Sequence, residues 1–437
     1  MVTTFVLWLF ISFAILIVLG IPLAYALFLS SAMAMAFASD LPMVLIMQQM
    51  QKGIDAFPIL AIPVFFVAGD LMNKGQVSEY LIKMCLAVVG HLRGALAYFT
   101  IIVAMIFAGT TGSSAAESAA IGAVFIPNLI KRKYGEAFSV ALVACASVIG
   151  IIIPPSTFMI IYGSFGNVSV AALFIGGILP GVLIGFSLMG ITAYFAKKYN
   201  YPKEREKVAS PREMLQAFRR GIWPIGVPIL LIGGMIGGIM TPTEASLVTV
   251  VYTLAIIFLI YKTLTWRDLP KIMKDNALAS SIPLFCLACA GVYGYLLAFF
   301  KVPDTVGEAV LSVTNDPDLI MAFILVAFLV VGTFMDGTPA IIILLPIVQK
   351  LGDIAHFNPV HLGLTVCLTI ALGLLTPPYG LCTLISCAIG KTKLTDVLKP
   401  MIPMFCAMLA VVVFIAYSPN VALFLPRLLV PNLVAAR

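Results

Sequence analysis

The stretch GTTGSSAAESAAIGAVFIP, residues 109–127, mixes Gly, Thr and Ser with a single carboxylate, Glu117, and runs directly into an apolar segment. The sequence on both sides is more apolar still. The 437-residue chain is 62% hydrophobic and 10% charged, against about one quarter charged for a soluble domain, and its mean hydropathy is +1.11. It therefore reads as an all-α polytopic membrane protein. In hydrocarbon every backbone N–H and C=O needs a partner, so Gly112-Ser113-Ser114 survives outside regular helix only where protein or a water-lined cavity surrounds it. We read it as the tip of a re-entrant helical hairpin spanning 109–130.

Composition narrows the remaining classes. The net charge of +7 gathers in a few loops, a pattern that reports membrane orientation and not nucleic-acid binding. Among the eight Cys, Cys286 and Cys289 form a CxxC inside SIPLFCLACAG with no second pair, which does not make a zinc or redox site. His91, His356 and His361 lack metal-like spacing. The opening MVTTFVLWLFISFAILIVLG has no preceding Lys or Arg and no small-residue cleavage site, and reads as an uncleaved first span.

A crossing needs roughly 20 apolar residues. Candidates are 3–19, 21–39, 57–72, 94–108, 136–165, 170–196, 222–262, 279–300, 317–333, 358–389 and 400–428. The basic loops at 131–133, 197–220 and 391–399 belong in the cytoplasm. An even number of crossings between the last two requires 222–262 to cross once and 334–351 to return to its own face. About eleven crossings result, with a cytoplasmic amino terminus and a periplasmic carboxyl terminus. Segments 76–94 and 266–277 read as helices lying on the membrane surface.

The opening stretch has a partner, GTFMDGTPAIIILLP at 332–346, and each is followed by a second matching block: IGIIIPPSTFMIIYG at 149–163 and LGLLTPPYGLCTLIS at 372–386. Gly109 to Gly150 and Gly332 to Gly373 are both 41 residues apart, and the Pro-Pro pairs are 223 apart. Glu117 and Asp336 each precede a proline by ten residues, which places the two acids in register. The chain divides into a first repeat at 1–197, a cytoplasmic basic loop at 198–221, and a second repeat at 222–437. The first repeat carries the hairpin 109–130 and a broken helix at 136–165; the second carries 332–351 and 358–389. An odd number of crossings per half inverts the second against the first. Inverted repeats with interrupted helices in matching places point to a secondary transporter and its binding site.

The breaks have their own chemistry. Each Pro-Pro pair removes amide donors and pushes the preceding residues off helix. Freed carbonyls with Ser and Thr hydroxyls are hard oxygen ligands suited to Na⁺, and two such clusters suggest at least two ion sites. The adjoining helix N-termini favour an anion. Glu117 and Asp336, costly in a membrane, read as caps or scaffold hydrogen bonds at the hairpin tips, as ion or substrate contacts, or as sites of proton coupling. Glu244, just after Pro242, reads as an N-terminal cap.

Together GTTGSSAAESAAIGAVFIP, SVIGIIIPPSTFMIIYG, GTFMDGTPAIIILLPIV and GLLTPPYGLCTLI resemble the large membrane subunit (M subunit) of tripartite ATP-independent periplasmic (TRAP) transporters, over essentially the whole chain. The resemblance implies an elevator-type transporter of the bacterial inner membrane, similar to the ion transporter superfamily, with a scaffold and a mobile domain holding both hairpins. It implies a separate small four-helix membrane subunit and a periplasmic substrate-binding protein that delivers an organic acid, such as a C4-dicarboxylate or sialic acid. Uptake would run on a sodium gradient, not ATP. By motif, one ion site would use Gly112, Ser113, Ser114, Gly150, Ile153 and Pro154, and a second Gly337, Thr338, Gly373 and Thr376. Substrate would lie near Ser113, Glu117, Ser156 and Asp336. Two other readings are a self-sufficient sodium–dicarboxylate symporter and, more remotely, an intramembrane enzyme using Glu117 and Asp336.

Overall fold

The computed structural model describes residues 2–75, 93–203, 211–378 and 380–434, and all named elements among them are helices. Six of these helices are long and apolar enough to cross a membrane. The chain opens with α1 (Val2–Val18), α2 (Leu23–Ala38), the short α3 (Val44–Ile54) and α4 (Ala61–Lys74). Next come α5 (Ala95–Thr111) and α6 (Ser114–Lys131), then α7 (Glu136–Ser147), α8 (Thr157–Gly166) and α9 (Val170–Lys198). The second half holds α10 (Pro211–Ile236), α11 (Pro242–Ala255), α12 (Leu269–Phe299) and α13 (Val302–Val313). It continues with α14 (Pro317–Gly332), α15 (Gly337–Ile354), α16 (Pro359–Gly373), α17 (Leu381–Gly390) and α18 (Leu394–Ala416).

The turn of the first hairpin falls at Gly112-Ser113, so its arms are α5 and α6, not two halves of 109–130. Gly112 ends α5 in the left-handed region (φ +61°), and Ser113 starts α6 by accepting the Ala116 N–H. The second hairpin matches: α14 and α15 are its arms, and Asp336 starts α15. Segments 94–108 and 317–333, expected as separate crossings, form helices that end at these two turns, α5 at Gly112 and α14 at Thr333.

Residues 222–262, expected to cross once, are two helices. The chain turns through Gly237 and Gly238 (φ +63°), and α11 restarts behind a capping box. Thr241 Oγ1 accepts the Glu244 N–H at 3.3 Å, while Glu244 Oε2 accepts the Thr241 N–H at 2.7 Å. Glu244 is thus the cap its position foretold. The Tyr252 hydroxyl donates to the Trp223 carbonyl at 2.9 Å and Gly234 faces Met240. Pairing on both sides of one turn makes α10 and α11 antiparallel. The glycines loosen the helix there, and Pro242 supplies no N–H to continue it. Residues 266–277 are not a separate surface helix either, since 269–277 form the first turns of the 31-residue α12. Most of 76–94, and residues 204–210 of the basic loop, lie outside the described residues.

Packing crosses between the halves. Glu117 lies on Gly150, the Ser118 and Ser147 hydroxyls are 2.5 Å apart, and Gly122 faces Val143, so α6 and α7 are antiparallel. Further along, Ser114 and Ser118 meet Cys382 while Gly122 faces Ile389, so α6 runs parallel to α17. In the same way Gly337 sits under the Phe158 ring and Gln349 Nε2 donates to the Gly166 carbonyl at 2.8 Å, so α15 runs parallel to α8. The second arm of each hairpin therefore rests on the helix that follows the other half's Pro-Pro break. Against this unit stand α1, α2, α4 and α12, which pack on one another.

Candidate functional site

Both hairpin tips open into one cavity of about 690 Å³, at the seam between the hairpins and α2, α4 and α12. Ser113 and Ser114 reach it from the first tip, and Asp336 and Thr338 from the second. Thr157 and Leu374 bring in the two breaks, and the stretch from Ala279 to Leu287 of α12, with Phe66 of α4, forms the opposite wall. Much of the lining is apolar. Asp336 is the one charged side chain among the described lining residues, with no Lys or Arg.

The tips are built from caps. Asp336 Oδ1 accepts the Thr338 N–H at 3.0 Å, and the residue lines the cavity. The Gly112 carbonyl accepts the Thr157 hydroxyl at 2.9 Å, tying the first tip to the start of α8. At the second break the Gly373 carbonyl accepts the Thr376 hydroxyl at 2.9 Å and its N–H at 3.0 Å. Both Pro154-Pro155 and Pro377-Pro378 are cis. These carbonyl and hydroxyl oxygens are the donor set that suits Na⁺.

The remaining residues named from sequence are placed as follows. Gly150 and Pro154 are buried, and Ile153 packs on Gly181. Gly337 is covered by Phe158, and Gly373 is in main-chain contact with Gly332. Ser156 is fully buried: its hydroxyl donates to the Ile151 carbonyl and accepts the Met159 N–H, so it starts α8 and does not line the cavity.

Glu117 differs from Asp336. Counted from the helix start, Asp336 matches Ser113, and Glu117 lies one turn deeper, because α6 and α15 are both 18 residues but carry their prolines at different depths. Glu117 is wholly buried, with no hydrogen-bond partner for either carboxylate oxygen among the described residues, and fills the space where Gly150 lacks a Cβ. An orphaned carboxylate against a break is a feature that a cation would satisfy. Asp336 lines the cavity, and Glu117 is buried behind it against Gly150.

Residues that sequence reasoning missed include Phe158, whose ring covers the second tip, and Cys286, which lines the cavity from the CxxC of α12. An apolar ring and a thiol in an apolar run give no sequence signal. Asp70 is held by Lys74 at 2.9 Å and by Asn276 at 2.7 Å, and Lys74 also reaches Asp275 at 3.0 Å. Among the described residues no cluster of three or more His, Cys, Asp or Glu forms a metal site.

A multi-pass helical protein in which two interrupted elements meet at one cavity has the architecture of a secondary transporter. The family described as "Tripartite ATP-independent periplasmic transporter, DctM component" matches residues 10–421, and the chain belongs to it. It is 38% identical to the uncharacterized protein YgiK of Salmonella typhimurium, over 97% of this chain and 98% of that protein. It is 35% identical to the isethionate TRAP transporter permease protein DctMQ of Oleidesulfovibrio alaskensis, over 94% of this chain and 65% of that protein. In fold it resembles the YdaH transporter of Alcanivorax borkumensis, with a TM-score of 0.60 at 13% identity, covering 86% of this chain and 87% of that one.

Proposed function

We propose that this chain is the large membrane subunit of a sodium-coupled transporter that imports an organic acid by an elevator movement in the inner membrane. One observation carries the reading. The cavity between the tips holds a carboxylate and no Lys or Arg among its described lining residues, so an organic anion bound there needs cations as company. The oxygen-rich breaks beside it suit Na⁺, and the helix N-termini at both tips favour the anion. The cavity's position, between the hairpin unit and α2, α4 and α12, supports the division into a moving body and a scaffold. Small-subunit and periplasmic binding-protein partners, with a sialic-acid- or C4-dicarboxylate-type cargo, follow from family membership as proposals. The isethionate named for a relative is a sulfonate, and the same cavity chemistry accommodates that class of anion.

The packing also supports inverted halves. If each Pro-Pro break leaves its helix roughly straight, α8 continues α7 and opposes α6, and α15, parallel to α8, opposes α6 as well. The hairpins then enter from opposite faces. Although Gly337–Ile354 is long enough to cross, it starts at the central cavity and serves as an arm. Removing two arms from the crossings and dividing 222–262 leaves ten, five per half, and the parity of the basic loops is kept. On this reading the amino terminus joins the carboxyl terminus in the periplasm, in place of the cytoplasmic position expected from eleven crossings.

Reconstituted with its small subunit and candidate binding proteins, the chain should take up substrate only when both an inward sodium gradient and a binding protein are supplied. Uptake indifferent to sodium would reject the coupling, and uptake without any binding protein would favour a self-sufficient symporter. Ser113→Ala and Thr376→Ala should each raise the half-saturating sodium concentration by roughly tenfold, the loss of one oxygen contact worth about 1.4 kcal/mol. An unchanged sodium dependence in both variants removes these hydroxyls from the ion sites.

A further inference from the structure

Three separate segments are stitched together at the base of the first hairpin. The Gly94 N–H donates to the Pro202 carbonyl at 3.0 Å, Arg93 pairs with Lys203 as a β-bridge, and Arg93 Nη1 donates to Asn200 Oδ1 at 3.0 Å. The Tyr201 hydroxyl donates to the Tyr134 carbonyl at 3.1 Å, and the two rings lie 4.5 Å apart. The start of α5, the loop after α6 and the end of α9 thus form one surface. It carries Arg93, the KRK of 131–133, Lys197, Lys198 and Lys203, all exposed, and Glu136 is the acid among the described residues of these segments.

The flank of this surface is apolar. On α9, Phe186, Gly190 and Tyr194 lie four residues apart on one exposed face, and a Cβ at Gly190 would meet nothing within 4 Å, which leaves a notch between two rings. The notch leads along the helix to Lys198, whose Nζ lies 5.6 Å from the Tyr194 ring and 5.5 Å from the Tyr199 ring. Exposed tyrosines beside lysines at the end of an apolar helix mark the headgroup level of a bilayer.

We propose that this surface is a binding site for an anionic phospholipid, with one acyl chain in the Gly190 notch and the phosphate on Lys197, Lys198 and the KRK loop. Charge complementarity selects the headgroup, since basic side chains clustered at a leaflet surface attract anionic lipid. The apolar notch selects a lipid over a soluble phosphate. Because the surface joins both outer ends of the first hairpin, the lipid contacts that hairpin's base. The site is independent of what the protein transports.

Native mass spectrometry of the purified full chain, with phosphatidylglycerol or phosphatidylcholine added, tests this directly. The parent should retain phosphatidylglycerol at least about tenfold over phosphatidylcholine. The triple variant Lys133→Gln, Lys197→Gln, Lys198→Gln should lose that preference, and the single variants should lose it in steps. Gly190→Leu should lower retention of both lipids and keep their ratio. Thermal unfolding in lipid-free detergent should be unchanged in all variants, which separates a lost site from a lost fold. Equal retention of the two lipids by the parent, an unaltered preference in the triple variant, or displacement by glycerol 3-phosphate would overturn the assignment.

Discussion

Gly150→Ala should lower the thermal unfolding midpoint sharply and abolish sodium-dependent uptake. The new methyl would occupy the space taken by the Glu117 carboxylate, and overpacking at such a site costs about 1–3 kcal/mol. The acid has nowhere to retreat, being wholly buried on α6. Adding Glu117→Ala to the same chain should restore most of the lost stability, because it removes the colliding atoms. Glu117→Met alone should unfold at a higher temperature than the parent, since an orphaned buried polar group costs about 1–3 kcal/mol, while its sodium response should weaken. A double variant as unstable as Gly150→Ala would show that the collision is not with Glu117. A lower midpoint for Glu117→Met would show that the carboxylate is satisfied by something the packing does not reveal.

Gly373→Ala should be more damaging still, with loss of folded material in detergent. A Cβ at Gly373 would stand 2.6 Å from the Gly332 Cα, and one at Gly332 would stand 2.9 Å from the Gly373 Cα. Both neighbours are main chain, so no flexible side chain can yield, and α14 and α16 must part along the second hairpin. We expect at least about 3 kcal/mol for Gly373→Ala, beyond ordinary overpacking, and a smaller loss for Gly332→Ala. Gly190→Ala, facing open space, is the matched control and should behave as the parent. Size-exclusion profiles and unfolding midpoints of the three variants decide the matter; equal behaviour would mean that the two helices separate freely.

The parts of this protein that sequence made legible are those where glycine and proline act through the backbone alone. The Gly112-Ser113 turn and the two Pro-Pro breaks were visible because their effect is local, whereas the Gly332–Gly373 contact joins residues 41 apart and shows only in the fold. Boundaries were less so. Residues 94–108 and 317–333 carry the same apolar run whether they cross a membrane or stop at its middle, and hydropathy does not register where a helix ends in depth. The 222–262 region carries the turn signal GGIMTPTEAS, but with 94–108 and 317–333 taken as crossings the loop charges require a single span there. The register of the two acids failed for another reason. A proline can sit at different depths in two otherwise equal helices, so counting back from it misaligned Glu117 with Asp336. Ser156 carried a hydroxyl beside a break, and only the folded chain reveals that the hydroxyl is spent on starting α8.

The way α6 lies along α17, and α15 along α8, laces the halves together like crossed fingers. Neither tip can shift without dragging the opposite half's break, so a disturbance at one oxygen cluster is felt mechanically at the other. The hairpin unit is thereby braced as a single piece, and loosening it one half at a time is not open to it.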